Sequence, residues 1–219
     1  MQFKCREVTV SVGFPFAAAV TLMFLYDTSG TAVISVCAAL LHEIGHLLCL
    51  FWYGETPQSL KLGLAGMEIV RAKGQKLSFY QEIMVSLAGP LVNLALFALL
   101  ATLSGWGAGE RLMEAAMVNF MLALFNLLPV SALDGGRAMY FFLCSLCTAP
   151  TAQRVVTVCS IVCLLPCAFI GFFLLLQSGY NFSLLLVTVY LCFLLAARDR
   201  KSTRLNSSHT TVSRMPSSA

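Results

Sequence analysis

Six continuous apolar runs, at residues 8–26, 31–52, 83–103, 112–130, 155–176 and 182–197, are separated by short polar stretches. Each comes near the ~20 residues that cross ~30 Å of hydrocarbon at ~1.5 Å per residue. Strands of an outer-membrane barrel would alternate polar and apolar residues, and these runs do not. The pattern predicts an all-α polytopic membrane protein of about six transmembrane helices, the last one the shortest. Between the second and third runs, residues 59–71 alternate in part and carry Gly63 and Gly66. That stretch predicts a short β-hairpin or paired strand segment, with an irregular loop as the alternative.

Composition agrees with the pattern. Hydrophobic residues make up 58% of the 219, charged residues 11%, and the mean hydropathy is +0.83. A soluble domain carries about a quarter charged residues, so disorder, nucleic-acid binding and a secreted disulfide scaffold all fit poorly. Six of the nine cysteines lie inside apolar runs, where cysteine acts as a small hydrophobe. Cys144 and Cys147 form a single CxxC, and with no second pair a redox or metal role is disfavoured. The first run is long enough to span and lacks a convincing cleavage site, so no cleavable signal peptide is read.

The distribution of charge sets an orientation. Thirteen of the 14 Lys and Arg residues fall on one side of the six runs, and Arg111 alone falls opposite. Basic loops stay cytoplasmic, which places both termini and the 59–71 segment inside. Residues 1–200 then form one integral membrane domain. Residues 201–219 are rich in Ser and Thr, are expected to be disordered, and change composition so abruptly that they read as a non-native appendage. His209 lies in that tail and is set aside.

The other two histidines form His42-Glu43-Ile44-Gly45-His46 inside the second run. Positions i and i+4 share one helical face, so both imidazoles can reach one metal ion, with Glu43 placed as general base toward its water. Ionisable groups near mid-membrane cost about 3 kcal/mol or more, and they usually face a polar site. The bland alternative, a histidine pair that only packs helices, would put three costly residues on one turn. Zinc suits imidazole and carboxylate donors but takes a third protein ligand beyond two histidines. Asp134 is the candidate, in Asn126-x-x-Pro129-x-x-x-x-Asp134-Gly135-Gly136 just past the fourth run. Pro129 and the glycine pair should break the helix and turn the chain back toward the metal. A simple turn aspartate before Gly-Gly is the competing reading.

These motifs, together with Gly89-Pro90-Leu91-Val92-Asn93 in the third run, resemble the site-2 protease family of intramembrane zinc metalloproteases. The resemblance covers residues 31–137. The compact layout looks like the sporulation subgroup known as stage IV sporulation protein FB, and neither the PDZ nor the CBS domain common in the family is read in this chain. The resemblance implies a three-helix catalytic core and one zinc ion held by His42, His46 and Asp134, with Glu43 activating water. Asn93 and Asn126 would contact the unwound substrate backbone or the oxyanion, or else only bridge helices. Residues 60–70 would pair with an extended substrate as an added strand. The implied activity is regulated intramembrane proteolysis of a membrane-tethered precursor, such as a sporulation transcription factor, near the cytoplasmic face of a bacterial cell membrane. Implied partners are that substrate, the lipid bilayer and membrane inhibitor or regulator proteins, with no nucleic acid. A metal-ion transporter, or another HExxH membrane metallopeptidase, is the alternative.

Overall fold

The computed structural model describes residues 2–5, 8–63, 66–71, 77–178 and 184–196. The 201–219 tail lies outside them. The chain begins with β1 (Gln2–Cys5), β2 (Val8–Val12) and α1 (Phe14–Tyr26), then α2 (Thr31–Trp52), β3 (Pro57–Gly63) and β4 (Gly66–Arg71). There follow α3 (Phe79–Leu103), one π-helical turn (Ser104–Ala108), α4 (Glu110–Asn126), α5 (Asp134–Cys144), α6 (Ala149–Ser178) and α7 (Leu184–Ala196).

The molecule is predominantly helical, and among the described residues three helices are long and apolar enough to cross a membrane: α2, α3 continuing into the π turn, and α6. Helices α1 and α7 are shorter apolar helices. Large apolar side chains point outward along α6, among them Val158, Val162, Leu165, Phe169 and Phe173. Such a face suits hydrocarbon, not water. Val130, Leu133, Leu164, Leu191 and Leu195 form a buried apolar cluster, while the contact of α2, α3 and α4 is rich in small and polar residues. Ala38, Ala116, Ala123, Ser86 and Asn93 are buried where α2, α3 and α4 pack together. Small residues let helix backbones approach closely where lipid supplies no hydrophobic drive.

Two features depart from an all-α reading. The first apolar run is not one span, because Val8–Val12 forms strand β2 and only Phe14–Tyr26 is helical. Val8-Thr-Val-Ser-Val12 alternates with β-branched residues, which favours a strand. Pro15 then sits in the first turn of α1, where its missing N–H costs nothing. The four strands form one sheet in the order β1-β2-β3-β4. The 59–71 segment is the antiparallel β3–β4 hairpin, with Leu60 opposite Ile69. Strand β3 is also parallel to β2, with Val10 opposite Leu60, so both its edges are occupied.

Helix starts are fixed locally. Ser78 and Gln81 form a reciprocal capping box at the head of α3. Before α2, Asp27 accepts hydrogen bonds from the Ser29 hydroxyl at 2.7 Å and the Ala32 N–H at 2.7 Å. The Ser29 hydroxyl first, and the Ala32 amide after it, hold the Asp27 carboxyl below its usual range. Thr31 donates to Glu114, tying the head of α2 to that of α4.

Candidate metal centre

The HEIGH segment is helical within α2, and its two histidines lie on the buried face, each about 5% exposed (5% and 6%). Helix α4 ends at Asn126, and seven residues without helix carry the chain to Asp134, the first residue of α5. Gly135 and Gly136 are therefore helical and do not form the expected turn. Their role is close approach: a Cβ on Gly135 would strike the Leu127 and Leu128 carbonyls, and one on Gly136 the Val130 carbonyl. With both side chains absent, the first turn of α5 folds tightly against the segment before it and brings Asp134 inward. Helix α6 holds that segment from behind, since the buried Ser160 hydroxyl accepts from the Ser131 N–H at 2.9 Å.

His42, His46 and Asp134 come together, all three buried. Asp134 Oδ2 lies 2.9 Å from His42 Nε2 and 3.2 Å from His46 Nε2, and the two Nε2 atoms are 3.2 Å apart. Zinc bonds of ~2.0–2.1 Å in a tetrahedron place neighbouring ligand atoms about 3.3–3.4 Å apart. The triangle is close to one face of such a tetrahedron, so the donor set fits the ion. The tautomers fit as well. His46 Nδ1 sits 2.7 Å from the Val85 carbonyl, which can only accept, so Nδ1 carries the proton and Nε2 keeps the lone pair that would hold an ion. Neither the Val85 carbonyl nor Ser160 carries a sequence signal, because one is backbone and the other an ordinary helix serine.

Gly89 makes room for the rings. A Cβ there would lie 2.7 Å from His46 Cε1 and 2.8 Å from His42 Nε2, and would meet His46 Nε2 closer still. One turn of packing away, a Cβ on Gly45 would lie 2.9 Å from both Ala88 O and Val92 Cγ2. Gly89→Ala is expected to displace the histidines and destabilise the fold by about 1–3 kcal/mol, the usual cost of overpacking. Zinc content and thermal unfolding of the purified variant check this. Full zinc at an unchanged midpoint would show that the rings move freely.

The centre opens on a cavity of about 490 Å³. Glu43, half-buried, lines it beside His42, His46 and Asp134. Asn126 also lines it, with Nδ2 donating to the Leu122 carbonyl at 2.9 Å. Asn93 does not, being fully buried, with both amide atoms lacking a hydrogen-bond partner among the described residues. Apolar walls come from α1 through Phe16 and Val20 and from α7 through Val187 and Leu191, while Gly63 brings the end of β3 to the rim. Cys144 and Cys147 are free thiols, and Cys147 donates to the Leu143 carbonyl instead.

The model of Peptidase family M50 matches residues 102–170, about a third of the chain, including Asp134 but not the two histidines. A curated relative from Mycobacterium tuberculosis, named "Putative zinc metalloprotease Rip3", is 32% identical over 123 residues, 52% of this chain and 31% of that protein. Zinc metalloprotease MJ0392 of Methanocaldococcus jannaschii is 29% identical over 111 residues, 47% of this chain and 31% of its own length. The chain thus spans about a third of the length of these relatives. Among solved structures, the site-2 protease from Methanocaldococcus jannaschii superposes with a TM-score of 0.67 at 20% identity, covering 90% of this chain and 94% of that one. That likeness shows the fold. The chain is thus similar to the M50 family model over residues 102–170, to relatives named zinc metalloproteases and to a site-2 protease in fold, and His42, His46 and Asp134 could form a metal site.

Proposed function

We propose that this protein is an intramembrane zinc endopeptidase that cuts a membrane-tethered protein near the cytoplasmic face. The observation that carries the reading is the convergence of two imidazoles and one carboxylate at the end of an apolar cavity that Glu43 also lines. When bound, zinc supplies Lewis-acid polarisation of a carbonyl and acidifies water. Glu43 takes the proton from the attacking water and passes it to the leaving amine. His42, His46 and Asp134 hold the ion.

The substrate must reach this cavity as extended chain, since a helix hides its peptide bonds in i→i−4 hydrogen bonds. The cavity offers apolar walls for its side chains. Asn126 offers a second amide N–H beyond the one used on Leu122, for the substrate backbone or the developing oxyanion. An added substrate strand would join β4, because β3 is flanked by β2 and β4.

The cytoplasmic orientation rests on the distribution of basic residues and on Asp134 lying at the inner end of the α4 crossing. The six-crossing layout would take α1, α4 and α7 as the shorter crossings. A place in the sporulation subgroup of a bacterial membrane, with a transcription-factor precursor as substrate, rests on the sequence resemblance.

The test is cleavage of a membrane-tethered reporter by the purified full chain in lipid. Removal of metal by a chelator is expected to stop cleavage, and added zinc to restore it. Cleavage that continues after metal is removed would sink the proposal.

A further inference from the structure

The two metal-facing histidines are not supported alike. His46 donates through Nδ1 to the Val85 carbonyl, whereas His42 Nδ1 is buried with no hydrogen-bond partner among the described residues. An imidazole that binds a metal through Nε2 carries its proton on Nδ1, and that N–H needs an acceptor to fix the ring. The surroundings hold a matching group. Asn93 is 0% exposed, and its Oδ1 and Nδ2 are also without partners.

The helix register brings the two together. His46 Nδ1 meets the Val85 carbonyl, and a Cβ on Gly45 would lie 3.2 Å from Gly89 Cα, so α2 and α3 run antiparallel and a residue one turn beyond Gly89 comes level with His42. Asn93 stands one further turn along α3 on the face of Gly89. Side chains on a helix lean toward its N-terminus. The Asn93 amide therefore leans back toward Gly89 and the level of the His42 ring, whose Nε2 is turned toward His46 and Asp134. Asn119 has an unpartnered Oδ1 as well. The Thr31–Glu114 contact pairs α2 and α4 in a register that puts residue 42 level with residue 125. Asn119 is then roughly 9 Å from His42 along the axis, at ~1.5 Å per residue.

We infer that Asn93 is the positioning residue of His42, its carboxamide oxygen accepting the Nδ1–H through one buried water. This deepens the protease reading and rests on the same metal site. It also gives Asn93 a role toward the metal ligand in place of the substrate contact that the sequence suggested.

The experiment compares Asn93→Leu, similar in volume without an acceptor, and Asn93→Asp, which keeps the acceptor. Zinc affinity is measured by chelator competition on the purified full chain, with metal-free thermal unfolding as the check on folding. Loss of an outer-shell partner lowers metal affinity by about 10–100-fold. Asn93→Leu is expected to show that loss at an unchanged or raised metal-free midpoint, and Asn93→Asp to bind as tightly as the parent or tighter. A packing role predicts the reverse order, since leucine suits an apolar interface and a buried carboxylate does not. Parental affinity in Asn93→Leu, or equal losses in both variants, overturns the assignment. Should the leucine variant fail to fold, Asn93→Asp decides alone, through the visible spectrum of the cobalt-substituted protein. Bands shifted from the parent support the contact, and bands identical to the parent overturn it. All of these readings are made without substrate. Failure of the parent to cleave any tethered protein would therefore sink the protease reading and leave this one standing.

Discussion

Asp134→Ala is expected to strip the centre of zinc and abolish cleavage. One oxygen of this carboxylate lies within 3.2 Å of both Nε2 atoms, so it closes the donor triangle and brings a negative charge to it. Two neutral imidazoles would remain, one ligand short of the three that catalytic zinc sites use. The loss should exceed the roughly 10–100-fold that follows removal of an outer-shell partner. Asp134 also opens α5, where a carboxylate stabilises the helix N-terminus, so some fall in thermal stability should accompany the change. Asp27→Ala is the matched control. That aspartate caps the head of α2 and lies outside the described metal cluster, so its loss should cost stability without changing zinc content. Metal analysis of the two purified variants separates the cases. Full zinc in Asp134→Ala would require another carboxylate, with Glu55, buried after α2, tried before Glu68 on β4.

Different parts of this arrangement were readable in the sequence to different degrees. Helical spacing alone puts His42 and His46 on one face, so their meeting follows from local geometry. The approach of Asp134 was suggested by its place past the fourth run, but the means was not. Gly135 and Gly136 look like a turn because glycine favours turns. They serve as helix residues whose missing side chains let α5 pack on the chain from Leu127 to Val130, a tertiary constraint that no local pattern reports. The strand at Val8–Val12 was absorbed into a long apolar run because short apolar stretches read alike as strand or helix by hydrophobicity. Its partner β3 lies beyond two helices, and parallel pairing at that separation leaves no local mark. The β3–β4 hairpin was legible, being local and partly alternating. The supports of the metal centre were hidden for another reason. A carbonyl of Val85 and a hydroxyl of Ser160 become specific only when three helices meet.

Glu43→Gln is expected to keep zinc and lose cleavage, and this pairing separates an enzyme from a metal transporter. Glutamine preserves the volume and the hydrogen-bonding capacity of the side chain but cannot take a proton from water. Glu43 lies on the helical turn between the two histidines and faces the cavity, yet it is not among the three residues whose donor atoms converge. Zinc affinity in the variant should therefore stay near that of the parent. The rate should fall by about 10²–10⁴-fold, the usual contribution of general acid–base catalysis. A transporter that used His42, His46 and Asp134 as a transit station would need no base, and its flux should survive the substitution. Zinc content, reporter cleavage and zinc uptake into vesicles, measured on the same two preparations, distinguish the outcomes. Zinc lost along with cleavage would make Glu43 a ligand. Cleavage near the parental rate would remove it from the mechanism, and the water-activating role would then have to move to another group lining the cavity.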